Sequence, residues 1–192
     1  MSIDTASGQT SGHRDRGAAE PARFVLLGLL LGKPAHGYDL ARRFAAGSAL
    51  GDVIYLGPSH LYSLLARLER DGFVSGEVQD GGSLPQRRVY RLTDAGREVV
   101  ERWIEEPVSH PRDMRIDFPL KLYMARDLGK ERVEELIERQ RAVFREYIAR
   151  LQDEKEPGDG SEDAAFIDLM RMGRIGRAQA ALDWLELCLR SR

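Results

Sequence analysis

The sequence predicts a mainly α-helical chain carrying one small β-hairpin, and three observations lead there. Leucines recur at helical spacing, as in Leu61, Leu64, Leu65 and Leu68, a single stripe at i, i+3, i+4 and i+7. Two strand-like runs, "FVSGEVQ" and "RRVYRLT", flank "DGGSLPQ", whose glycine pair and proline mark a turn region. Beyond Pro107 the composition shifts, and two long segments with apolar repeats fill the remainder.

Residues 1–20 are rich in Ser, Thr, Gly and charge and read as a disordered N-terminal tail. From Pro21, "PARFVLLGLLLGKP" is apolar on nearly every side, as a helix central to a small domain is, and Gly32 and Pro34 stop it. "HGYDLARRF" gives a second short helix, with Tyr38, Leu40, Ala41 and Phe44 on its inner side, and "AAGSALGD" a loosely structured connection. The third helix opens at Pro58, where the missing N–H costs nothing, with Gly57 as its cap. Asp71-Gly72 ends it, because glycine readily takes the left-handed conformation. The loop joining the two strands is too long for a two-residue turn, so its tip projects. Thr93 caps "DAGREVVERWIEE", which Pro107 terminates.

"PVSHPRDMRIDFP" reads as a Pro-punctuated linker leading to "LKLYMARDLG". In the long helix that follows, Val133, Ile137, Gln140, Phe144, Tyr147 and Leu151 alternate spacings of four and three, a coiled-coil seam. After the break "EPGDGSED", a last helix repeats the spacing with Ile175, Ala178, Leu182, Leu185 and Leu189. Two seams on helices outside the compact domain predict a homodimer; the plainer alternative is that both pack on their own domain. The expected organisation is a tail over 1–20, a compact domain of helices and hairpin over 21–107 and a helical dimerisation region over 108–192.

Composition narrows the function. Of the 192 residues, 42% are apolar and 31% charged, which places the chain among globular proteins. The formal net charge of −2 gives no overall basic field, so any nucleic-acid contact must come from a local patch. A single cysteine, Cys188, excludes an intrachain disulfide and fits a reducing cytoplasm. The N-terminus lacks the apolar core of a signal peptide, and "FVLLGLLLG" is about half the roughly 20 residues needed to span a bilayer, so no membrane role is expected. Ser59 and His60 are neighbours, but adjacent helical side chains diverge by about 100°, too far for a nucleophile and its base. No G-x-S-x-G, phosphate-cradling glycine loop or H-E-x-x-H occurs, so no catalytic residues are assigned. His13, His36, His60 and His110 are scattered without ligand spacing, and neither metal nor cofactor is expected.

Two helices, a third with one leucine stripe and then a hairpin make the layout of a winged helix-turn-helix. In that arrangement the third helix enters the DNA major groove. Its outward residues, Ser59, His60, Tyr62, Ser63 and Arg67, are small or able to hydrogen-bond to phosphate and base. Arg87 and Arg88 stand where a wing carries cations to the backbone, though alternation along a strand lets only one of the two face DNA.

Taken together, "LLGLLLGKPAHGYDLARRF", "GPSHLYSLLARLERDGFV" and "RRVYRLTDAGREVV" resemble the PadR family of transcriptional regulators over roughly residues 22–106. The shared pattern is a leucine-rich first helix, a Gly-Tyr opening the second, a Pro-x-x-Leu-Tyr-x-x-Leu-x-x-Leu recognition helix and a wing ending Tyr-Arg-Leu-Thr-x-x-Gly. "FPLKLYMARDLG" and the two helices after it resemble the C-terminal region of the family's longer members. The resemblance implies a cytoplasmic, dimeric, double-stranded-DNA-binding protein, usually a repressor, dimerised by its C-terminal helices. By position it puts the DNA contacts on Ser59, His60, Tyr62, Ser63, Arg67 and the wing arginines. One departure is that Gly57 precedes Pro58 and Ser59 follows it, where the family often has serine and glycine. The resemblance also implies a small hydrophobic or aromatic effector, for which Trp103, Phe118, Leu122 and Met124 are the candidates. The rival is a winged helix that serves as a protein-interaction adaptor without a specific DNA target. It is kept open by the modest local charge, six arginines against five acids between Gly57 and Arg97.

Overall fold

The computed structural model describes residues 12–79, 87–154 and 162–190. The wing tip, residues 80–86, and most of the break before the last helix lie outside them. The chain divides into two compact units, residues 1–100 and 101–192.

In the first unit, α1 (Gly12–Leu29) supplies Val25, Leu26, Leu27 and nearby Leu30 to the core. It begins at Gly12, so residues 12–20, expected in a tail, are helical, and Pro21 lies inside the helix instead of opening it. Pro21 is the tenth residue of this helix, an interior position where proline is costly, and the alanines, glutamate and arginine of "AAEPAR" around it are strong helix formers that favour carrying the helix through it. A two-residue strand, β1 (Ala35–His36), precedes α2 (Gly37–Arg42). The connection that follows is more ordered than its composition predicts. Ser48 Oγ donates to the Arg43 carbonyl at 2.7 Å and accepts from the Gly51 N–H at 3.0 Å. Leu50, Ile54 and Leu56 are buried in the same segment.

Helix α3 (Pro58–Arg70) has Gly57 at its N-cap and Pro58 in its first turn, and its four stripe leucines are all buried. It ends in a Schellman motif: Phe73 N–H bonds the Leu68 carbonyl at 2.9 Å, Gly72 N–H bonds that of Glu69 at 3.0 Å, and Gly72 has φ of 79°. Strands β2 (Val74–Gln79) and β3 (Arg87–Leu92) pair antiparallel, Val74 opposite Leu92 and Gln79 opposite Arg87. β1 adds to the free edge of β3, with Ala35 opposite Tyr90, giving the order β1-β3-β2. At the root of this wing, Thr93 Oγ1 donates to the Gly72 carbonyl at 2.8 Å and accepts the Gly96 N–H at 3.1 Å. One side chain thereby joins the end of α3 to the start of α4 (Asp94–Glu105). A Cβ on Gly96 would sit 2.1 Å from the Phe73 carbonyl oxygen, so only glycine fits that crossing.

The second unit starts within α4 and continues through a 3₁₀ turn (Pro111–Arg115), α5 (Asp117–Leu128), α6 (Lys130–Asp153) and α7 (Glu162–Arg190). The expected linker is therefore part of a packed body. Gln140, fully buried on α6, accepts the Val108 N–H at 2.7 Å and donates to the Val108 carbonyl at 2.8 Å. The α6 seam turns inward accordingly: Val133, Ile137, Phe144 and Leu151 are buried within this unit of one chain, not reserved for a second. A helix surface packs on whatever apolar surface is nearest, and α5 and α7 supply it. Arg171 on α7 bonds the Leu151 and Glu154 carbonyls at 3.3 and 3.2 Å, closing the end of α6.

Lys121 is only 4% exposed. Its Nζ lies 4.4 Å from the centre of the Trp103 ring and donates to the Trp103 carbonyl. Burial lowers its pKa from 10.5 to about 8, against the opposing pull of Glu106 and Asp117. Below about pH 8 the lysine is charged in both native and unfolded chains, and the burial penalty is fully in force. Between pH 8 and 10.5 the unfolded chain holds the proton that the native one has released, so stability rises with pH. Urea unfolding at pH 7.5 and pH 10 is expected to show the parent gaining up to about 3 kcal/mol relative to Lys121→Met. Equal pH dependence of the two would put Lys121 in water.

Candidate nucleic-acid interface

The leucine stripe fixes which way α3 faces. With Leu61, Leu64, Leu65 and Leu68 buried, Ser59, Tyr62, Ser63 and Arg67 are left exposed on the opposite side, Tyr62 at 46%. Their freedom to bind differs. Ser63 Oγ donates to the Ser59 carbonyl at 2.9 Å, so its proton is spent inside the helix and only its lone pairs face outward. Arg67 Nε lies 3.7 Å from Asp71, a loose surface pair that water competes for. Ser59 is exposed, whereas His60 is half-buried and already engaged within the chain.

Tyr62 is placed by glycine. A Cβ on Gly37 would come within 2.6 Å of Tyr62 Cε1, so the bare backbone at the start of α2 makes room for the ring. Around it lies a concavity of about 600 Å³, lined by Gly37 and Tyr38 from α2, Tyr62 from α3, and Arg87, Arg88 and Tyr90 from β3. Asp39 is the one carboxylate among its lining residues. Both wing arginines border it, although alternation along the strand admits only one. Arg87 sits at the first residue of β3, where the ladder ends, and has no ion pair among the described residues. Arg88 is held: its Nη2 lies 2.6 Å from Glu69 Oε1. Burial raises the pKa of Tyr90, the nearby Arg88 opposing it, and at neutral pH its phenol is a hydrogen-bond donor as an ordinary tyrosine's is. Cations and phenolic donors around an open hollow are the chemistry that receives a phosphate.

Sequence reasoning missed Tyr38, assigned to an inner face but 66% exposed. The signal was there: Leu40 and Phe44 set the buried side by their i, i+4 spacing, and a residue two before Leu40 points some 200° away. Glu69 was missed because its partner is 19 residues distant.

The four effector candidates fall in the second unit. Phe118 and Met124 are sealed at 0% and 2% exposure, with Trp184 set edge-on to Phe118 at 5.9 Å. Trp103 and Leu122 are half-buried, Trp103 against Lys121. None of the four lines the 600 Å³ concavity or a second hollow of about 490 Å³ edged by His110, Tyr147, Arg150 and Arg174. Trp103 is filled from beneath by lysine, which leaves that side of its ring closed to a ligand.

Two family models match the chain. The transcriptional regulator PadR-like family covers residues 26–102, and a model described as "Virulence activator alpha C-term" covers residues 114–191. The negative transcriptional regulator PadR of Bacillus subtilis is 25% identical over 174 residues, spanning 87% of this chain and 94% of the relative. A probable transcriptional regulator of Mycobacterium tuberculosis is 27% identical over 183 residues, spanning 84% and 92%. Among solved structures, Bacillus subtilis PadR in complex with operator DNA is 25% identical, covering 88% of this chain and 98% of that one with a TM-score of 0.44. With the leucine stripe, the capped wing and the Gly-Tyr opening of α2 already in place, residues 26–102 are those of the PadR-like family of transcriptional regulators, and residues 114–191 match the second model.

Proposed function

We propose that this chain is a sequence-specific DNA-binding repressor that acts as a homodimer at promoter operators. The observation that carries the reading is the exposed polar face of α3, set beside a hollow lined by two arginines and three tyrosines. Residues 21–107 form the DNA-binding domain and residues 108–192 the dimerisation region. Ser59, Tyr62 and Arg67 approach the bases and nearby phosphates, while Arg87 and Arg88 take the backbone. Dimerisation falls to α7, where Phe166, Ile167, Leu169, Met170 and Met172 are each 42% to 60% exposed, an apolar run of the kind that marks a protein contact. Two recognition helices so joined reach half-sites about 34 Å apart, one turn of DNA. No described helix is long and apolar enough to cross a membrane. A chain that meets promoters works in the cytoplasm, as a binding protein and not an enzyme.

Selection from a random-sequence duplex library, followed by affinity measurement against salt, tests this. A shared motif should emerge, and log K should fall with log salt at a slope near −5, for about six phosphates neutralised by a dimer. No enriched motif together with a slope near zero would favour the adaptor role.

A further inference from the structure

Glu69 sits half-buried in the last turn of α3, beside the leucine stripe, and its carboxylate leaves the helix and crosses to the wing. Oε1 accepts the Gly76 N–H of β2 at 3.0 Å and, at 2.6 Å, Arg88 Nη2 of β3. The Arg88 guanidinium also lies 5.7 Å from the centre of the Tyr90 ring. Gly76 is what permits the crossing: a Cβ there would stand 2.5 Å from Arg88 Nε and 2.8 Å from Glu69 Oε1. The carboxylate is thus pinned to backbone, and the arginine is pinned to the carboxylate at the edge of the hollow it shares with Tyr62.

We propose that Glu69 is a positioning residue of the interface: it fixes Arg88 so that the remaining guanidinium N–H groups meet a DNA phosphate in the hollow between α2, α3 and β3. This rests on the DNA-binding reading above. A guanidinium carries five donors in a rigid fork, so one bond to Glu69 leaves others for phosphate. An arginine already held in place loses less conformational freedom on contact than a free surface arginine does. The same link ties the depth of the recognition helix to the position of the wing.

The test uses the full-length chain, the duplex recovered by library selection and a scrambled duplex of equal length. Glu69→Gln keeps an acceptor for Gly76 but loses the charge that holds Arg88. It should bind the selected duplex roughly tenfold more weakly, with a salt slope shallower by about two per dimer. Melting temperature and helicity should stay at parental values. Arg88→Ala should show the same loss, and the double variant no further loss, since both remove one contact. Gly76→Ala, which drives Arg88 off Glu69 while keeping both charges, should reproduce the loss even if Glu69→Gln folds poorly. The proposal is overturned if Glu69→Gln binds as the parent does, if it tightens binding to both duplexes with a steeper slope, or if the single losses multiply in the double variant. A parent chain that prefers no duplex overturns the DNA-binding reading itself, and this one with it.

Discussion

Leu169→Glu is expected to run as a monomer in sedimentation at micromolar concentration and to bind the selected operator on the order of 100-fold more weakly than the parent. The side chain is 59% exposed on α7, so the chain's own fold makes little use of it, and glutamate is as acceptable as leucine within a helix. With Phe166 and Met170 it lies at i, i+3 and i+4 on one helix face. A second copy seated there would bury the carboxylate without a partner, which strongly disfavours the contact. The affinity loss follows by a different route. When two recognition helices are joined, the second half-site engages at a high effective concentration, and a monomer loses that advantage without losing any DNA contact of its own. A variant that remains dimeric would move the interface away from this part of α7.

Ser59→Glu should separate binding from stability even more sharply, because the two effects have opposite sign. Ser59 is the second residue of α3, whose first turn contains no acidic group. A carboxylate near a helix N-terminus stabilises by about 0.3–1 kcal/mol, so the melting temperature should hold or rise slightly. Binding should fall roughly 100-fold, since the same carboxylate would face phosphates in the groove and displace a hydroxyl able to bond to them. Isothermal titration beside a thermal melt reads both quantities from one preparation. Unchanged affinity would place the start of α3 away from DNA.

Much of the fold could be read from the sequence because its determinants are local. The leucine stripe, Pro58, the Asp71-Gly72 stop and the Thr93 cap each act within a few residues, and each does in the structure what its position predicts. What escaped depends on partners far along the chain. β1 has only two residues and no alternation to detect; it is a strand only because β3 offers an edge. The seam on α6 carries the periodicity of a dimer contact, but periodicity marks a buried face without naming what covers it. Here α5 and α7 do. The exposed apolar surface of α7 begins ahead of the expected repeat, at Phe166, where no heptad would point. The exposed polar face of α3 was legible because burying one side of the helix exposes the other, whereas the condition of each side chain was not. Nothing in "PSHLYSLLARLER" tells that the Ser63 hydroxyl already donates to the Ser59 carbonyl or that Glu69 holds Arg88.

Gln140 restricts what can replace it more tightly than any leucine of the core. Its primary amide meets both the N–H and the carbonyl of Val108 across 32 residues of chain, as a neighbouring strand would. Glutamate would still accept from the N–H but turn its second acceptor toward the carbonyl, lysine would offer nothing to the amide, and methionine would leave both groups dry and unmatched. Asparagine has the right group on too short an arm. Slow chemical loss of that one nitrogen, by deamidation in an ageing protein, would therefore loosen the chain just after α4 while leaving every apolar contact around it in place.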